Sequence, residues 1–298
     1  MVLTLDLGGT NARFAAVRSD GEILTRKRVR TPRDATGKQI LDMLVSMFDE
    51  VGKGVKATAL AAAVPATISA ESGVLTKLPN LSALEGVDLG HVLQERTGLK
   101  AFVENDATAA TIGEHWMGVS KGIDNVIGVT LGTGVGGGLI VNGRPLRGKD
   151  GSAGELGHIC VEPLGVPCGC GSRGCVEQYS SGTAIIRMAR EAGIYAPNSY
   201  EVFSQAMRGN SDAIQVFDTM GTYLGIALAG LINVLNPDMI VVGGGVSAGW
   251  DLFIDKIRKE VRERAFRDPV ERVKIVHSSL GEDAGILGVA RVAFDLMV

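Results

Sequence analysis

The sequence predicts an α/β chain built from two tandem domains, each of which begins with a β-hairpin. Strands of buried character alternate with helical stripes of apolar residues along the chain. The 298 residues are 45% hydrophobic, and such a length suits one large domain or two domains of about 150 residues. The pattern of the first hairpin also returns after residue 125. These three observations exclude a disordered or fibrous chain.

The first half opens with a strand over 2–7, a glycine turn and a second strand over 14–17. A Ser-Asp-Gly turn at 19–21 leads into a third strand over 22–29. Apolar residues with helical spacing predict a helix within 34–51. The remaining elements of this half are a strand over 57–64, a helix over 87–97 and a strand over 101–103.

The second half repeats the opening pattern. Placing Asp6 on Thr130 aligns Gly8 with Gly132 and Thr10 with Gly134. Its predicted elements are strands over 125–131 and 139–141, a glycine-rich insert over 143–182, helices from 183 to 232, a strand over 239–242, a helix over 250–265, a strand over 273–277 and a last helix from about 284. The repeat predicts domains over 1–112 and 113–283, with the helix at 284–298 packing back on the first domain.

Glycine is unusually abundant: the 41 glycines make up about 14% of the chain, roughly twice the ordinary share. Residues 128–182 hold 16 of them. Such a local excess indicates tight turns, close approach of the backbone to a ligand, or a flexible linker. Four glycines in predicted helices are instead expected to allow close packing, namely Gly225, Gly230, Gly285 and Gly288.

Charge and targeting signals narrow the class of protein. The net charge of −3 argues against a broad nucleic-acid surface, so the basic stretch formed by Arg26, Lys27, Arg28, Arg30 and Arg33 is interpreted as a solvated face. No apolar run reaches the roughly 20 residues that span a bilayer, and the start lacks the pattern of a signal peptide. We therefore expect a cytoplasmic protein with neither nucleic acid nor membrane as a partner.

Three segments share one design, a buried strand followed by a turn rich in glycine with Thr or Ser. They are Asp6–Asn11, Leu131–Gly138 and Val242–Ser247. Glycine lets exposed N–H groups surround anionic oxygens, and Asp6 is a candidate to hold Mg²⁺ through water. Each turn alone is also typical of a bulge or hairpin, and none fits the Walker A or Rossmann spacing. Together they predict nucleotide contacts at Asp6, Gly8, Gly9, Thr10, Asn11, Thr133, Gly134, Gly244 and Gly245.

All four cysteines lie between Cys160 and Cys175. In a reducing compartment this clustering favours a metal site over disulfides. His158 with Cys168, Cys170 and Cys175 offers one imidazole and three thiolates, the donor set of a tetrahedral, structural Zn²⁺. Cys160 is the alternative fourth ligand, since it follows His158 by two residues.

These motifs together resemble the ROK family (repressor, open reading frame, kinase) of the actin/hexokinase superfamily. The resemblance rests on the Asp6–Thr10 start, Glu104-Asn-Asp106, Leu131–Gly138, Gly154–His158 and the cysteine loop, and it covers nearly the whole chain. It implies two actin/hexokinase-like, ribonuclease-H-like domains flanking an interdomain cleft, with a zinc-binding loop over 158–177. It also implies ATP with Mg²⁺ as the phosphoryl donor and His158 rather than Cys160 as the fourth zinc ligand.

The resemblance also assigns roles in the site. Asp106 corresponds to the family's general base, although an Asp at that place is equally suited to cap a helix. The positions that match the sugar site are Asn80, Asn105, Asp106, Glu155, His158 and Glu177. Many family members have Lys where this chain has Asn11, and Arg13 beside it is expected to face either phosphate or solvent.

The function implied by the resemblance is ATP-dependent phosphorylation of a hexose. Glucose is the expected substrate, because Glu177-Gln-Tyr179 looks most like the glucose-phosphorylating members. N-acetylmannosamine and fructose are the alternative substrates, and polyphosphate is an alternative donor. Two non-catalytic alternatives are an actin-like filament protein and a ROK repressor, for which Val2 leaves no room for a preceding DNA-binding segment. A homodimer or a dimer of dimers is expected.

Overall fold

The computed structural model describes residues 1–32, 34–69, 71–78 and 81–297, and it is a mixed α/β protein. The strands of this part are β1 (Val2–Leu7), β2 (Asn11–Val17), β3 (Ile23–Arg30), β4 (Ala59–Val64), β5 (Thr67–Ile68), β6 (Leu75–Thr76), β7 (Lys100–Asn105), β8 (Val126–Leu131), β9 (Val135–Val141), β10 (Arg144–Pro145), β11 (Met239–Gly243) and β12 (Lys274–His277). The helices are α1 (Gly37–Val51), α2 (Leu89–Thr97), α3 (Asp106–Met117), α4 (Glu177–Ser180), α5 (Gly182–Glu191), α6 (Ser199–Met207), α7 (Ser211–Leu235), α8 (Trp250–Arg264), α9 (Arg267–Arg272) and α10 (Ala284–Leu296).

The hairpin of β1 and β2 has a copy in β8 and β9. Every bound of β8 and β9 is the corresponding bound of β1 or β2 plus 124. This is the offset at which Asp6 falls on Thr130. Both hairpins therefore enclose a turn of three residues, and the internal repeat predicted from the sequence is confirmed for these strands.

Two five-stranded sheets carry the fold, in the orders β3-β2-β1-β4-β7 and β10-β9-β8-β11-β12. In the first sheet β4 is parallel to both β1 and β7, and in the second β11 is parallel to both β8 and β12. Parallel strands end at the same edge of a sheet. The turns that follow β1, β4 and β7 thus share one edge, as do the turns that follow β8, β11 and β12.

The chain forms two compact units. Unit 1 comprises Met1–Gly122, Gly138–Gly154 and Ser279–Val298, and unit 2 comprises Ile123–Gly137 and Glu155–Ser278. The first stretch of unit 1 runs beyond the residue 112 that the repeat suggested, because α3 continues to Met117. The C-terminal helix α10 belongs to unit 1, where it packs against α3 and β1.

Unit 1 buries apolar side chains on both faces of its sheet. On one face Phe14 of β2 meets Phe48 of α1 edge to face, with ring centroids 5.4 Å apart. On the other face α3 and α10 cross closely because of a glycine. A side chain at Gly288 would collide with the backbone carbonyl of Ala109.

Three of the four helical glycines are at packing contacts, as predicted. Besides Gly288, Gly225 of α7 lies against Glu260 of α8, and a Cβ at Gly285 would come within 3.1 Å of Asp6 Cγ. The prediction for Gly230 is wrong, since a Cβ there would meet no atom within 4 Å. The helical pattern places Gly230 on the exposed side of α7.

Helix α7 is central to unit 2. By length and composition it is long and apolar enough to cross a membrane, and among the described residues no other helix meets that test. A helix in a protein core has the same character, and 11 of the 25 residues of α7 are buried. It packs against α4, α5, α6 and α8, so it is only weak support for a membrane span.

Local signals explain several helix ends. Thr36 and Gln39 form a capping box at the start of α1, and Gly98 ends α2 in the left-handed conformation with φ of 72°. Asn236 ends α7 in the same way, with φ of 43°. The short elements β5, β6 and α9 were not predicted, because two to six residues show no periodicity.

The basic stretch forms the edge strand β3 of unit 1. Its side chains pair with acidic residues: Arg26 with Asp283 at 2.9 Å and Lys27 with Glu50. Charged side chains on an edge strand also discourage pairing with other chains. Arg33 lies outside the described residues.

Candidate active site

The first glycine turn, Gly8–Thr10, is closed by its own unit. The N–H of Gly8 donates to the carbonyl of Asn11 at 3.0 Å. Thr31, which follows β3, donates its hydroxyl to the Gly8 carbonyl at 2.7 Å and its N–H to the Thr10 carbonyl at 2.9 Å. The turn is therefore held in place by a neighbouring segment, with the Thr10 side chain exposed.

A cavity of about 610 Å³ adjoins this turn within unit 1. Its lining is polar and apolar in about equal parts and comprises Thr10, Arg30, Thr31, Pro32, Asp34 and Ala35. The turn therefore borders an open space, as a phosphate-binding turn requires.

Asp6 lies one residue before the end of β1 and pairs with Arg13 on β2 in the strand register. Arg13 Nη1 is 3.3 Å from Asp6 Oδ2, and Arg13 Nη2 is 2.7 Å from Glu282 Oε1. Burial raises the pKa of Asp6 above its ordinary value, and Arg13 opposes that rise. The expectation that Arg13 faces phosphate or solvent is wrong, because its guanidinium bridges two carboxylates.

Asn105 and Asp106 follow one another at the junction of β7 and α3. Asn105 is the N-cap of α3, since its Oδ1 accepts the N–H of Thr108 at 3.0 Å. Its Nδ2 donates to the carbonyl of Ala66 at 3.3 Å. Asp106 is the first residue of the helix, and its Oδ1 accepts the Ala107 N–H at 2.8 Å. The alternative interpretation of Asp106 as the cap is therefore wrong.

Sequence reasoning missed the ion pair that holds this junction. Arg147 donates from Nε and Nη2 to Oε2 of Glu104 at 2.9 and 2.8 Å. Glu104 Oε1 accepts the N–H of Asn105 at 3.0 Å. The buried Glu104 within Glu-Asn-Asp was a signal for such a pair, but nothing local identified Arg147 as its partner. Asn80, a predicted sugar contact, lies outside the described residues.

The second turn, Gly132–Gly134, belongs to unit 2 and is closed in a similar way. The N–H of Gly132 donates to the Gly134 carbonyl at 3.0 Å. The start of α5 supports the turn: Gly182 N–H donates to the Gly132 carbonyl at 2.8 Å, and Thr183 Oγ1 donates to the Thr133 carbonyl at 2.9 Å. The Thr133 side chain is exposed, like Thr10 in the first turn.

Glu177 lies directly against the second turn. Its Oε2 accepts the N–H of Val135 at 3.0 Å. A Cβ at Gly134 would collide with the same carboxylate oxygen, so a larger residue there would require the Glu177 carboxylate to move. The structure thus brings together Glu177, predicted for the sugar site, and Gly134, predicted for the nucleotide site.

The third turn follows β11. Gly244 has φ of +87°, and a side chain there would collide with the backbone of Leu131 at the end of β8. Gly245, by contrast, would place a Cβ in open space. The third turn therefore lies against the end of β8, where the second turn begins, because β8 and β11 are parallel neighbours.

His158, Cys168, Cys170 and Cys175 come together in unit 2. Their ligand atoms all lie within 4.8 Å of one another. Cys168 Sγ is 3.7 Å from His158 Nδ1, and Cys170 Sγ is 3.7 Å from Cys175 Sγ. Cys160, the alternative fourth ligand, is exposed and outside this cluster.

The cluster has the electrostatics of thiols packed together. Burial and the neighbouring thiols of Cys168 and Cys170 together raise the pKa of the Cys175 thiol to about 12. A backbone hydrogen bond from Ser172 lowers the pKa of Cys170. His158 turns Nδ1 toward the sulfurs, whereas Nε2 lies 3.9 Å from Oε2 of Glu155. Glu155 and the second ring nitrogen are thus on the side away from the thiols.

Comparison with known proteins shows the family. A profile of the ROK family matches residues 2–295. The chain belongs to the ROK family. A glucokinase of Thermotoga maritima is 36% identical, over 98% of this chain and 96% of its own length.

Solved ROK structures share the fold. A ROK hexokinase from Thermus thermophilus has a TM-score of 0.86 and 31% identity, over 99% of this chain and 98% of its own. A ROK family glucokinase from Streptomyces griseus, in complex with glucose and AMPPNP, has a TM-score of 0.85 and 32% identity, over 98% of this chain and 99% of its own. The predicted ROK resemblance and its mixed α/β fold are therefore confirmed.

Within this ROK chain the predicted site residues form two groups. In unit 1, Asp6 and the turn Gly8–Thr10 share a sheet edge with Asn105 and Asp106, and the strands β1 and β7 are separated by β4 alone. That spacing corresponds to roughly 10 Å between strand axes. In unit 2 the third turn lies against the end of β8, where the second turn begins, and Glu177 lies against Gly134.

Proposed function

We propose that this ROK chain transfers the γ-phosphoryl group of ATP to glucose and forms glucose 6-phosphate. The observation that carries the proposal is the position of Asp106. It follows β7 at the edge of the sheet that also carries the turn Gly8–Thr10. Because Asn105 caps α3, the Asp106 carboxylate is not needed as the helix cap. The similarity to glucokinases over nearly the whole chain supports glucose as the acceptor.

In the proposed reaction the 6-hydroxyl oxygen of glucose attacks the γ-phosphorus, and the bond to the bridging oxygen of ADP breaks. Asp106 accepts the hydroxyl proton, a role that contributes about 10²- to 10⁴-fold to the rate of such transfers. The turns Gly8–Thr10 and Gly132–Gly134 contact phosphate oxygens, and Gly244 and Gly245 approach the adenosine. Asp6, one residue before the end of β1, would hold a water of the Mg²⁺ that accompanies ATP, and the ion would neutralise phosphate charge.

The proposed sugar contacts are Asn80, Asn105, Glu155, His158 and Glu177. Amide and carboxylate groups suit adjacent sugar hydroxyls, because both oxygens of a carboxylate accept and an amide both donates and accepts. His158 is supported by its orientation, since Nδ1 faces the thiols and Nε2 faces Glu155. Glu177 already accepts the Val135 N–H through Oε2, so we propose that it positions the sugar relative to the second turn.

We also propose that the Cys/His cluster binds structural Zn²⁺. A tetrahedral ion with Zn–S bonds of about 2.3 Å places its sulfurs about 3.8 Å apart. The 3.7 Å between Cys170 Sγ and Cys175 Sγ fits this geometry, and three thiolates with one imidazole leave no open position for water. The ion would hold the ring of His158 in place, as outer hydrogen bonds do for other metal-bound histidines.

A substrate panel tests the proposal. Phosphorylation of glucose, N-acetylmannosamine, fructose and mannose is measured with ATP and with polyphosphate as donors. We expect the highest kcat/KM for glucose with ATP. Preference for another sugar or for polyphosphate would reassign the substrate or donor within the family, and transfer to none of them would favour a non-catalytic regulator.

Asp106→Asn tests the base directly. We expect kcat to fall by about 10²-fold or more while glucose binding, measured by calorimetry, is retained. Asp88→Asn is the matched control, because Asp88 also lies at a helix start and Asn keeps its capping bond. Equal activity of the two variants would remove Asp106 from the mechanism.

Three expectations of the sequence remain proposals: a cytoplasmic location, an interdomain cleft that holds both substrates, and a homodimer or a dimer of dimers. Size-exclusion chromatography with light scattering measures the last one. A monomer at micromolar concentration would exclude it.

A further inference from the structure

Ser247 and His277 form a hydrogen-bonded pair beside the third glycine turn. Both belong to unit 2. Ser247 is buried within the 3₁₀ segment Gly245–Gly249, and His277 ends β12. His277 Nε2 is 2.9 Å from Ser247 Oγ, and the His277 ring lies against Trp250 with centroids 5.3 Å apart. The proposed mechanism uses none of these three side chains.

Counting hydrogens gives the direction of this pair. The Ser247 hydroxyl has one hydrogen, and Oγ donates it to the Gly244 carbonyl at 2.6 Å. The contact with Nε2 must therefore be donated by His277, which assigns the hydrogen of the ring to Nε2. The bonds run in one direction, from imidazole to hydroxyl to carbonyl, so that each strengthens the next.

The last acceptor in this series of hydrogen bonds is the carbonyl of the peptide between Gly244 and Gly245. This carbonyl accepts from the Ser247 hydroxyl and also from the Ser247 N–H at 3.0 Å. The peptide is trans, so its N–H points opposite to the carbonyl. Fixing the carbonyl therefore fixes the direction of the Gly245 N–H. A turn made of glycines needs such support, because glycine itself restricts the backbone least.

We infer that His277, acting through Ser247, is a positioning residue for the nucleotide: it holds the Gly244–Gly245 peptide in the orientation that binds ATP. The inference rests on the proposed function, in which this turn meets the adenosine. It assigns His277 a role in the affinity for ATP, the phosphoryl donor, and none in sugar binding or in the chemical step. The part of the imidazole that matters is its N–H, not its ring.

Two substitutions separate the N–H from the ring. His277→Phe keeps an aromatic ring against Trp250 and removes the donor, whereas His277→Gln keeps a donor and removes the ring. Calorimetry measures the Kd of AMPPNP with Mg²⁺ and, separately, of glucose. Loss of one neutral hydrogen bond weakens binding by about fivefold, so we expect that loss for AMPPNP in His277→Phe, an unchanged glucose Kd, and near wild-type values in His277→Gln.

Ser247→Ala provides a second route to the same result. It should weaken AMPPNP binding as His277→Phe does, and the double variant should be no weaker than either, because both changes break one chain of bonds. His91→Phe is the control, since His91 is an exposed histidine of α2 in unit 1. Thermal unfolding checks that each variant is folded, and Ser247→Ala decides the matter if His277→Phe does not fold.

Several outcomes would overturn the inference. Unchanged AMPPNP affinity in His277→Phe would do so, and so would an equal loss for AMPPNP and glucose, which indicates a general structural effect. A His277→Gln variant as weak as His277→Phe would show that the ring matters instead. If the wild-type protein bound no AMPPNP at all, the proposed function would fail rather than this inference.

Discussion

Replacing Arg147 by Met tests the ion pair that supports the candidate base. Arg147 holds Oε2 of Glu104 through two hydrogen bonds, and Oε1 of Glu104 holds the N–H of Asn105, next to Asp106. Methionine keeps part of the apolar stem and removes the cation. The Glu104 side chain is only 10% exposed, so its carboxylate would lose its partner without regaining full hydration.

The size of the effect follows from the exposure of the two groups. Breaking a fully buried pair costs about 3–5 kcal/mol, and an exposed pair contributes about 1 kcal/mol or less. The Arg147 side chain is 45% exposed, and solvent screening therefore reduces the expected cost to about 1–2 kcal/mol. For a chain of this size that corresponds to a Tm lower by roughly 2–8 °C.

The assay combines thermal unfolding with kinetics. We expect Arg147→Met to lower both Tm and kcat, because the Asn105–Asp106 junction loses its support. Arg144→Met is the matched control: Arg144 is exposed and lies three residues earlier in β10. Adding Glu104→Gln to Arg147→Met should recover part of the lost stability, since a neutral amide is cheaper to bury than a lone carboxylate. Equal shifts for the Arg144 and Arg147 variants would refute the reasoning.

Two further predictions concern the metal and the helix packing. Cys170→Ser is expected to reduce bound zinc from about one ion per chain to near none, whereas Cys160→Ser keeps it, as measured by elemental analysis; equal zinc in both would exclude the four-ligand site. Gly288→Ala is expected to lower the free energy of unfolding in denaturant titrations, because its methyl group meets the Ala109 carbonyl. Gly230→Ala, in open space, is expected to raise it by about 0.5–1 kcal/mol, and a loss of stability there would contradict the packing argument.

Most strands and long helices could be predicted because each depends on residues close together in the sequence. Strand β11 is an apolar run ended by glycines, and α1 has a regular apolar stripe. The start of β2 was placed three residues late, at Phe14 instead of Asn11. Asn11 and Arg13 are polar, but alternate residues of a hairpin strand point away from the core, and Ala12 between them is buried.

In the candidate site, too, features made by residues close together in the sequence could be predicted, and contacts between distant residues could not. The Cys/His cluster could be predicted because its four ligands fall within one short loop, where spacing alone restricts the geometry. The bridging of Asp6 and Glu282 by Arg13 could not, since Arg13 and Glu282 are 269 residues apart in the sequence. The same holds for Arg147 and Glu104, which are 43 residues apart. Side-chain partners that only the fold brings together leave no local pattern.

The two hairpins have matching strand bounds, but different residues stabilise their turns. Their strands match at a constant offset, yet the first turn is held by Thr31 after β3 and the second by Gly182 and Thr183 at the start of α5. In both cases backbone carbonyls of the turn accept the supporting bonds, and the threonine side chain of the turn stays exposed. Since carbonyls repel phosphate, anchoring them keeps them away from the phosphate that these turns contact in the proposed function. The repeat therefore retains the hydrogen bonds to the carbonyls of the turn, but not the residues that donate them.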